Sequence, residues 1–153
     1  MFDAEVLYHS RSAKDVPYTY CADLVDMAHK SEVLICITPG GPETQHLVNR
    51  EVLDALGPEG ALINVSRGSV VDEVALIEAL QDGRLGAAAL DVFEDEPRVP
   101  SALKRMENVV LQPHVGSATV ETRQAMGDLT CDNLSQYLKD GTTLTPVPEC
   151  KDL

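Results

Sequence analysis

An α/β fold built on a parallel sheet is the class this sequence predicts, and three observations predict it. Short apolar runs alternate with segments of helical period along the chain, the pattern of successive strand–helix–strand units. The runs are apolar at consecutive positions, as in Glu32-Val33-Leu34-Ile35-Cys36-Ile37, which is how strands buried on both faces read. Arg67, Asp91 and His114 each follow such a run, at the edge where open parallel sheets bind their ligands.

The elements follow in order. Residues 5–8 read as a first strand, 22–29 as a short helix and 32–37 as a buried strand. Asn49 can cap a helix through Leu56, in which Val52, Leu53 and Leu56 share a face and Gly57-Pro58 stops the turn. Residues 61–65 form another buried strand. Asp72 caps a helix whose Leu76, Ile77 and Leu80 point one way and which closes at Gly83. Residues 86–93 contain a strand, 101–106 a short helix and 109–112 the last strand. A long helix spans about 119–139, with Met126, Leu129, Leu134 and Leu138 on its inner side and Gly141 after its end.

At 153 residues the chain has the length of one domain and can bury a sizeable core, and 44% apolar residues is a globular composition. A formal net charge of −13 argues against nucleic acid and anionic membrane as partners, since both attract basic surfaces. No apolar run reaches the ~20 residues of a membrane helix, and no basic-then-apolar signal opens the sequence. Cys21, Cys36, Cys131 and Cys150 are scattered without a Cys-x-x-Cys pair, so neither a zinc site nor a disulfide framework is expected. A cytoplasmic protein with reduced thiols is the expectation. The terminal Lys151-Asp152-Leu153 lacks the glutamate of an ER-retention tail.

Arg67 stands in a Ser-Arg-Gly turn after a strand, where a guanidinium can hold a substrate carboxylate through two parallel hydrogen bonds. The alternative is a surface arginine bonding loop carbonyls. His114 lies between Pro113, which restrains the backbone, and Gly116, which admits a close neighbour. An imidazole titrates near neutrality and can give a proton to a carbonyl oxygen. A lone histidine is more often structural, but a carboxylate within reach would fix its tautomer and favour its charged form. Glu96, ahead of Pro97, is the expected partner, with Glu94 and Asp95 competing. A solvated acidic loop is the alternative for all three, and His9, His29 and His46 read as surface residues. Asp91 ends an apolar strand, where its carboxylate needs a backbone N–H or a ligand amide such as a nicotinamide carboxamide. His9, Ser10 and Arg11, with Lys14, present no acid until Asp15. In a dinucleotide fold a loop so placed meets the adenosine ribose, where an acid selects the 2′-OH and an arginine accommodates a 2′-phosphate. NADP is therefore favoured, with NAD possible.

Several ordered segments resemble the D-isomer-specific 2-hydroxyacid dehydrogenases, the group that includes glyoxylate/hydroxypyruvate reductase and the D-glycerate and D-3-phosphoglycerate dehydrogenases. They are Ile37-Thr38-Pro39 with Glu43-Thr44, residues 63–68 leading into Val71-Asp72-Glu73, residues 89–97, residues 113–119, and Leu144-Thr145-Pro146-Val147. The resemblance covers nearly the whole chain, and residues 91–119 look most like bacterial glyoxylate/hydroxypyruvate reductases. It implies a Rossmann-type doubly wound parallel sheet, with Arg67 binding the substrate carboxylate, His114 as acid/base and Glu96 as its partner. It further implies cofactor contacts from Thr38, Pro39, Val65, Ser66, Asp91, Gly116 and Ser117, and a Ser10-Arg11 loop like that of NADP-using members. The implied partner is a small 2-keto or 2-hydroxy acid, and the implied assembly of the full-length family is a homodimer.

The departure is as informative. Members carry a Gly-x-Gly-x-x-Gly phosphate turn before the segment resembling residues 5–11, and no such turn occurs here, since Gly40-Gly41 and residues 57–60 lack its strand–turn–helix context. Residues 1–153 thus resemble a partial NAD(P)-binding domain without its first, central strand and without the substrate-binding domain, with Met1-Phe2-Asp3 resembling the end of the first crossover helix. Strands 5–8 and 33–37 should then show unpaired edges and apolar faces, leaving the chain marginally stable or self-associating. Weak or no reductase activity of the chain alone is the expectation, and a non-catalytic dinucleotide-binding or subunit-interaction module is the alternative.

Overall fold

The computed structural model describes residues 4–150. The segments Met1-Phe2-Asp3 and Lys151-Asp152-Leu153 lie outside the described residues. Contacts divide the chain into two compact units, the first ending at His114 and the second starting at Val115.

The first unit opens with β1 (Leu7–Tyr8) and β2 (Thr19–Tyr20), a parallel pair with Leu7 opposite Thr19. The first strand is shorter than the predicted 5–8, and β2 was not foreseen, since two residues are too few for a period to register. The helix α1 (Leu24–His29) follows, its first turn capped by Asp23, whose side chain accepts from the Asp26 N–H.

A second, four-stranded sheet carries the core. Its strands β3 (Val33–Cys36), β4 (Ala61–Asn64), β5 (Ala87–Leu90) and β6 (Val109–Leu111) are parallel and neighbour one another in chain order. The helix α2 (Arg50–Leu56) connects β3 to β4, and α3 (Glu73–Gln81) connects β4 to β5. Both start where the sequence placed their caps. Asn49 accepts from the N–H groups of Glu51 and Val52, and Asp72 accepts from that of Ala75. Gly57, at φ 79°, ends α2 in backbone space that side chains with a Cβ disfavour. Ion pairs Arg50–Glu78 and Arg84–Asp54 lie on the exposed side. Residues 101–106 form only one 3-10 turn, Leu103–Arg105, with Leu103 buried.

Alternate strand residues Leu34, Cys36, Leu62, Ala88 and Leu90 pack with Met27, Val52, Leu53 and Leu76 in one core, each buried leucine contributing roughly 1.5–3 kcal/mol. The other face differs from the expectation of strands covered on both sides. Val33 is 49% exposed, Ile35 55% and Val110 60%. The physical reason is that a run of consecutive apolar residues fits both faces equally well, while α1, α2 and α3 supply only one apolar layer. β3 has a strand partner on one side alone, β4, and among the described residues no ladder joins it to β1 or β2.

The second unit is dominated by α4 (Val120–Asp140), capped by the Thr119 hydroxyl and ended at Gly141 with φ 80°. Its return segment is tied back by Asn133, which accepts from the Thr145 N–H and donates to the Thr145 hydroxyl at 3.0 Å each. Met126, Leu129, Leu134 and Leu138, expected on an inner side, are all exposed. Periodicity marked the stripe without saying what would cover it. Among the described residues no helix is long and apolar enough to cross a membrane.

Candidate functional site at the carboxyl edge of the sheet

The strand ends of the four-stranded sheet open onto a cleft of about 890 Å³ lined by Thr38, Pro39, Val65, Ser66, Arg67, Glu94, Glu96 and His114, among others. Each limb is built by its local sequence. After β4, the buried Asn64 folds the chain back on itself: its Oδ1 accepts from the Ser66 N–H at 3.0 Å and the Ser66 hydroxyl at 2.8 Å, and its Nδ2 donates to the Arg67 carbonyl at 3.0 Å. That closed loop aims the exposed Arg67 toward the cleft, with one guanidinium N–H donating to the Ser66 carbonyl at 2.7 Å.

Gly68 lets this turn lie against the loop after β5. A Cβ built on it would stand 1.9 Å from the Phe93 carbonyl oxygen, so no side chain fits there. Opposite, Gly40 packs on the stem of Arg67, where a Cβ would meet the arginine Cγ at 2.8 Å.

The loop after β5 supplies the acid. Glu96 accepts from the Phe93 N–H at 3.0 Å through Oε1, and its Oε2 lies 2.8 Å from Nδ1 of His114. The hydrogen bond with His114 holds the Glu96 carboxyl below its ordinary range, assisted by the Phe93 N–H and the positive charges of His114 and Arg67. His114 follows β6 and Pro113 with φ 55°, in left-handed space that non-glycine residues seldom occupy, at a cost of roughly 1–3 kcal/mol. Its side chain remains 48% exposed. With Nδ1 held by a carboxylate, Nε2 is the nitrogen on the far side of the ring from that carboxylate.

The neighbouring acids have other partners. Asp95 forms a two-point pair with Arg98 at 2.7 and 2.6 Å. Glu94 lies 2.8 Å from Nε2 of His46. Its N–H donates to Glu73, whose carboxyl burial pushes up, with Glu94 and Asp95 adding repulsion. His46, expected at the surface, is partly exposed and engaged there by Glu94. It is half-buried at φ 50°, with its N–H bonded to the Ser69 carbonyl. His9 too is half-buried and contacts the Cys21 carbonyl, whereas His29 is exposed.

Of the other expected contacts, Thr38, Pro39, Val65 and Ser66 line the cleft, and the buried Thr38 hydroxyl oxygen has no hydrogen-bond partner among the described residues. Asp91 is buried behind the rim and is not among the lining residues, its N–H bonded to the Asn64 carbonyl. Gly116 and Ser117 fall in the second unit. Ser10 and Arg11 lie in the loop after β1, outside the cleft lining, with Arg11 paired to Glu43 at 3.1 Å. Sequence reasoning missed Asn64, although an asparagine closing an apolar strand is a recognisable turn-former. It also missed the His46–Glu94 pair, whose members are 48 residues apart and carry no shared signal.

The family described as D-isomer specific 2-hydroxyacid dehydrogenase, NAD binding domain, matches residues 1–116. Hydroxyphenylpyruvate reductase from Plectranthus scutellarioides is 54% identical over 147 residues, which is 95% of this chain and 47% of that protein. Glyoxylate/hydroxypyruvate reductase A from Arabidopsis thaliana is 53% identical with the same coverage. Among solved structures, the NADPH-dependent glyoxylate/hydroxypyruvate reductase of Sinorhizobium meliloti, in complex with NADP and malonate, superposes with a TM-score of 0.94 at 52% identity, over 97% of this chain and 47% of that one. The chain thus spans about half the length of the relatives it matches. On this family match and these identities, the chain belongs to the D-isomer specific 2-hydroxyacid dehydrogenases, through their NAD-binding domain.

Proposed function

We propose that this chain is the nucleotide-binding part of an NAD(P)-dependent reductase that converts a small 2-keto acid of the glyoxylate/hydroxypyruvate type to a D-2-hydroxy acid. The observation that carries the reading is the convergence of Arg67, Glu96 and His114 on one cleft, with imidazole and carboxylate 2.8 Å apart. The relatives' names point to the same substrate class.

Arg67 holds the substrate carboxylate through its planar fork and fixes which carbonyl face is presented. Glu96 accepts from the Nδ1–H of His114 and so orients the ring, leaving Nε2 as the nitrogen that carries and passes on a proton. His114 then gives that proton to the carbonyl oxygen as the carbon is reduced. A bound reduced nicotinamide supplies the hydride. Thr38, whose hydroxyl has no hydrogen-bond partner among the described residues, and Pro39, Val65 and Ser66 are the cleft residues that fit the nicotinamide end, and the Ser10-Arg11 loop fits an adenosine 2′-phosphate. Asp91, Gly116 and Ser117 remain proposed cofactor contacts by family resemblance. The sequence has no glycine turn for the pyrophosphate, so turnover by the chain alone should be slow or absent, and non-catalytic dinucleotide binding is the second reading.

The test is binding of oxamate, a 2-keto acid analogue, followed by NMR of the His114 imidazole. Native chain should bind it, Arg67→Ala should weaken binding about ten- to a hundred-fold, and the His114 resonances should move on binding. NADPH-dependent reduction of glyoxylate, where detectable, should vanish in His114→Ala. Oxamate binding that is indifferent to Arg67, or turnover that survives His114→Ala, would overturn the proposal.

A further inference from the structure

The loop after β1 is a braced basic projection on an acidic chain. Tyr8 and Tyr20 pack with ring centroids 5.4 Å apart. The Tyr8 hydroxyl donates to the Lys14 carbonyl at 3.1 Å and accepts from the Lys14 N–H at 2.7 Å, while the Tyr20 hydroxyl donates to the Ser10 carbonyl at 3.1 Å. Ser10 closes onto the Ser12 carbonyl at 2.6 Å. The backbone that carries Arg11 is thus fixed at both ends, and its guanidinium reaches outward to meet Glu43 at 3.1 Å, with side chains 90% and 77% exposed. Glu43 is braced as well: it lies in the turn Pro42–Thr44, held by the Thr44 hydroxyl on the Pro39 carbonyl at 2.8 Å.

A guanidinium fork accepts a carboxylate or a phosphate in the same planar geometry, so the two are alternative occupants of one donor. A phosphate monoester carries about −1.5 to −2 charges near neutrality, and an exposed ion pair is weak enough for it to displace. An adenosine ribose without the 2′-phosphate leaves the pair undisturbed. We propose that Glu43 is a specificity-determining residue, an internal carboxylate that competes with the 2′-phosphate for Arg11 and so sets how strongly the chain prefers NADP to NAD. This rests on the reading of Arg11 as the 2′-phosphate contact.

The experiment compares adenosine 2′,5′-bisphosphate with adenosine 5′-monophosphate as titrants of the whole chain, by calorimetry, in native protein, Glu43→Gln, Arg11→Gln and the double variant. Glu43→Gln should tighten the bisphosphate about three- to five-fold, the scale of an exposed ion pair, and leave the monophosphate unchanged. Arg11→Gln should abolish the preference, and adding Glu43→Gln to it should then change nothing. If Arg11→Gln abolishes the preference while Glu43→Gln leaves the ratio unmoved, the role of Glu43 fails and the cofactor reading stands. Tightening by Glu43→Gln that persists without Arg11 means general repulsion rather than competition, and also overturns the role. Absence of any preference in the native chain, or a preference indifferent to Arg11, overturns the cofactor reading and the inference together.

Discussion

Glu96 receives hydrogen bonds from two kinds of donor, an imidazole and a backbone N–H, with a guanidinium's charge close by. Its depressed pKa makes it a contributor to stability above the ordinary carboxylate value near 4.3, and that contribution is lost as pH falls through the lower folded value. Glu96→Gln should therefore flatten the fall of stability as pH drops below the ordinary carboxylate range, read from urea midpoints over that acid range. A variant curve parallel to the native one would show that the pair has no such linkage. The residues of this pair were legible only in part. The histidine and arginine stand alone after their strands, but three carboxylates within residues 94–96 carry the same chemistry. Glu96, ahead of Pro97, was the expected partner with the other two competing, and the turn lays Glu94 against His46, Asp95 against Arg98 and Glu96 against His114.

At the scale of elements, the site is two turns pressed together. The one after β4 touches the one after β5 where Gly68 meets Phe93. Gly68→Ala should push these turns apart, destabilising the chain by about 2–3 kcal/mol and weakening carboxylate binding although Arg67, Glu96 and His114 are themselves unchanged. Chemical denaturation and oxamate titration of the same variant check both effects, and a neutral result in both would mean that the contact yields freely. Helices α2 and α3 were readable to within a residue because capping side chains mark them: Asn49 and Asp72 each accept N–H groups of the first turn. Strand burial was less legible. Val33 and Leu34 are equally apolar, yet one is exposed and the other buried, because a run of consecutive apolar residues does not say on which face the helices will pack. The stripe on α4 failed to reveal its exposure for a related reason: 3.6-residue spacing encodes a face, not a neighbour.

For the whole molecule, the uncovered face of the four-stranded sheet is the dominant physical fact. Val33, Ile35 and Val110 stand exposed on it, and Ile37, 78% exposed, follows β3, whose outer edge has no strand partner among the described residues. Free strand edges and apolar faces of this kind draw chains together. The chain should sediment as more than a monomer at micromolar concentration, or else unfold at modest temperature. A monomer in the ultracentrifuge that melts cooperatively at high temperature would speak against both.

The order of the strands also bears on how the site comes apart. β4 and β5 are flanked by partners on both sides, whereas β6, like β3 at the other edge, has a single strand partner among the described residues. Transient local opening starts where backbone pairing is thinnest. The imidazole limb, launched from an edge ladder, is then among the first to lose its place, while the arginine limb rides on one of the last strands to fray. Partly opened molecules retain the means to grip an acid after they have lost the means to protonate it.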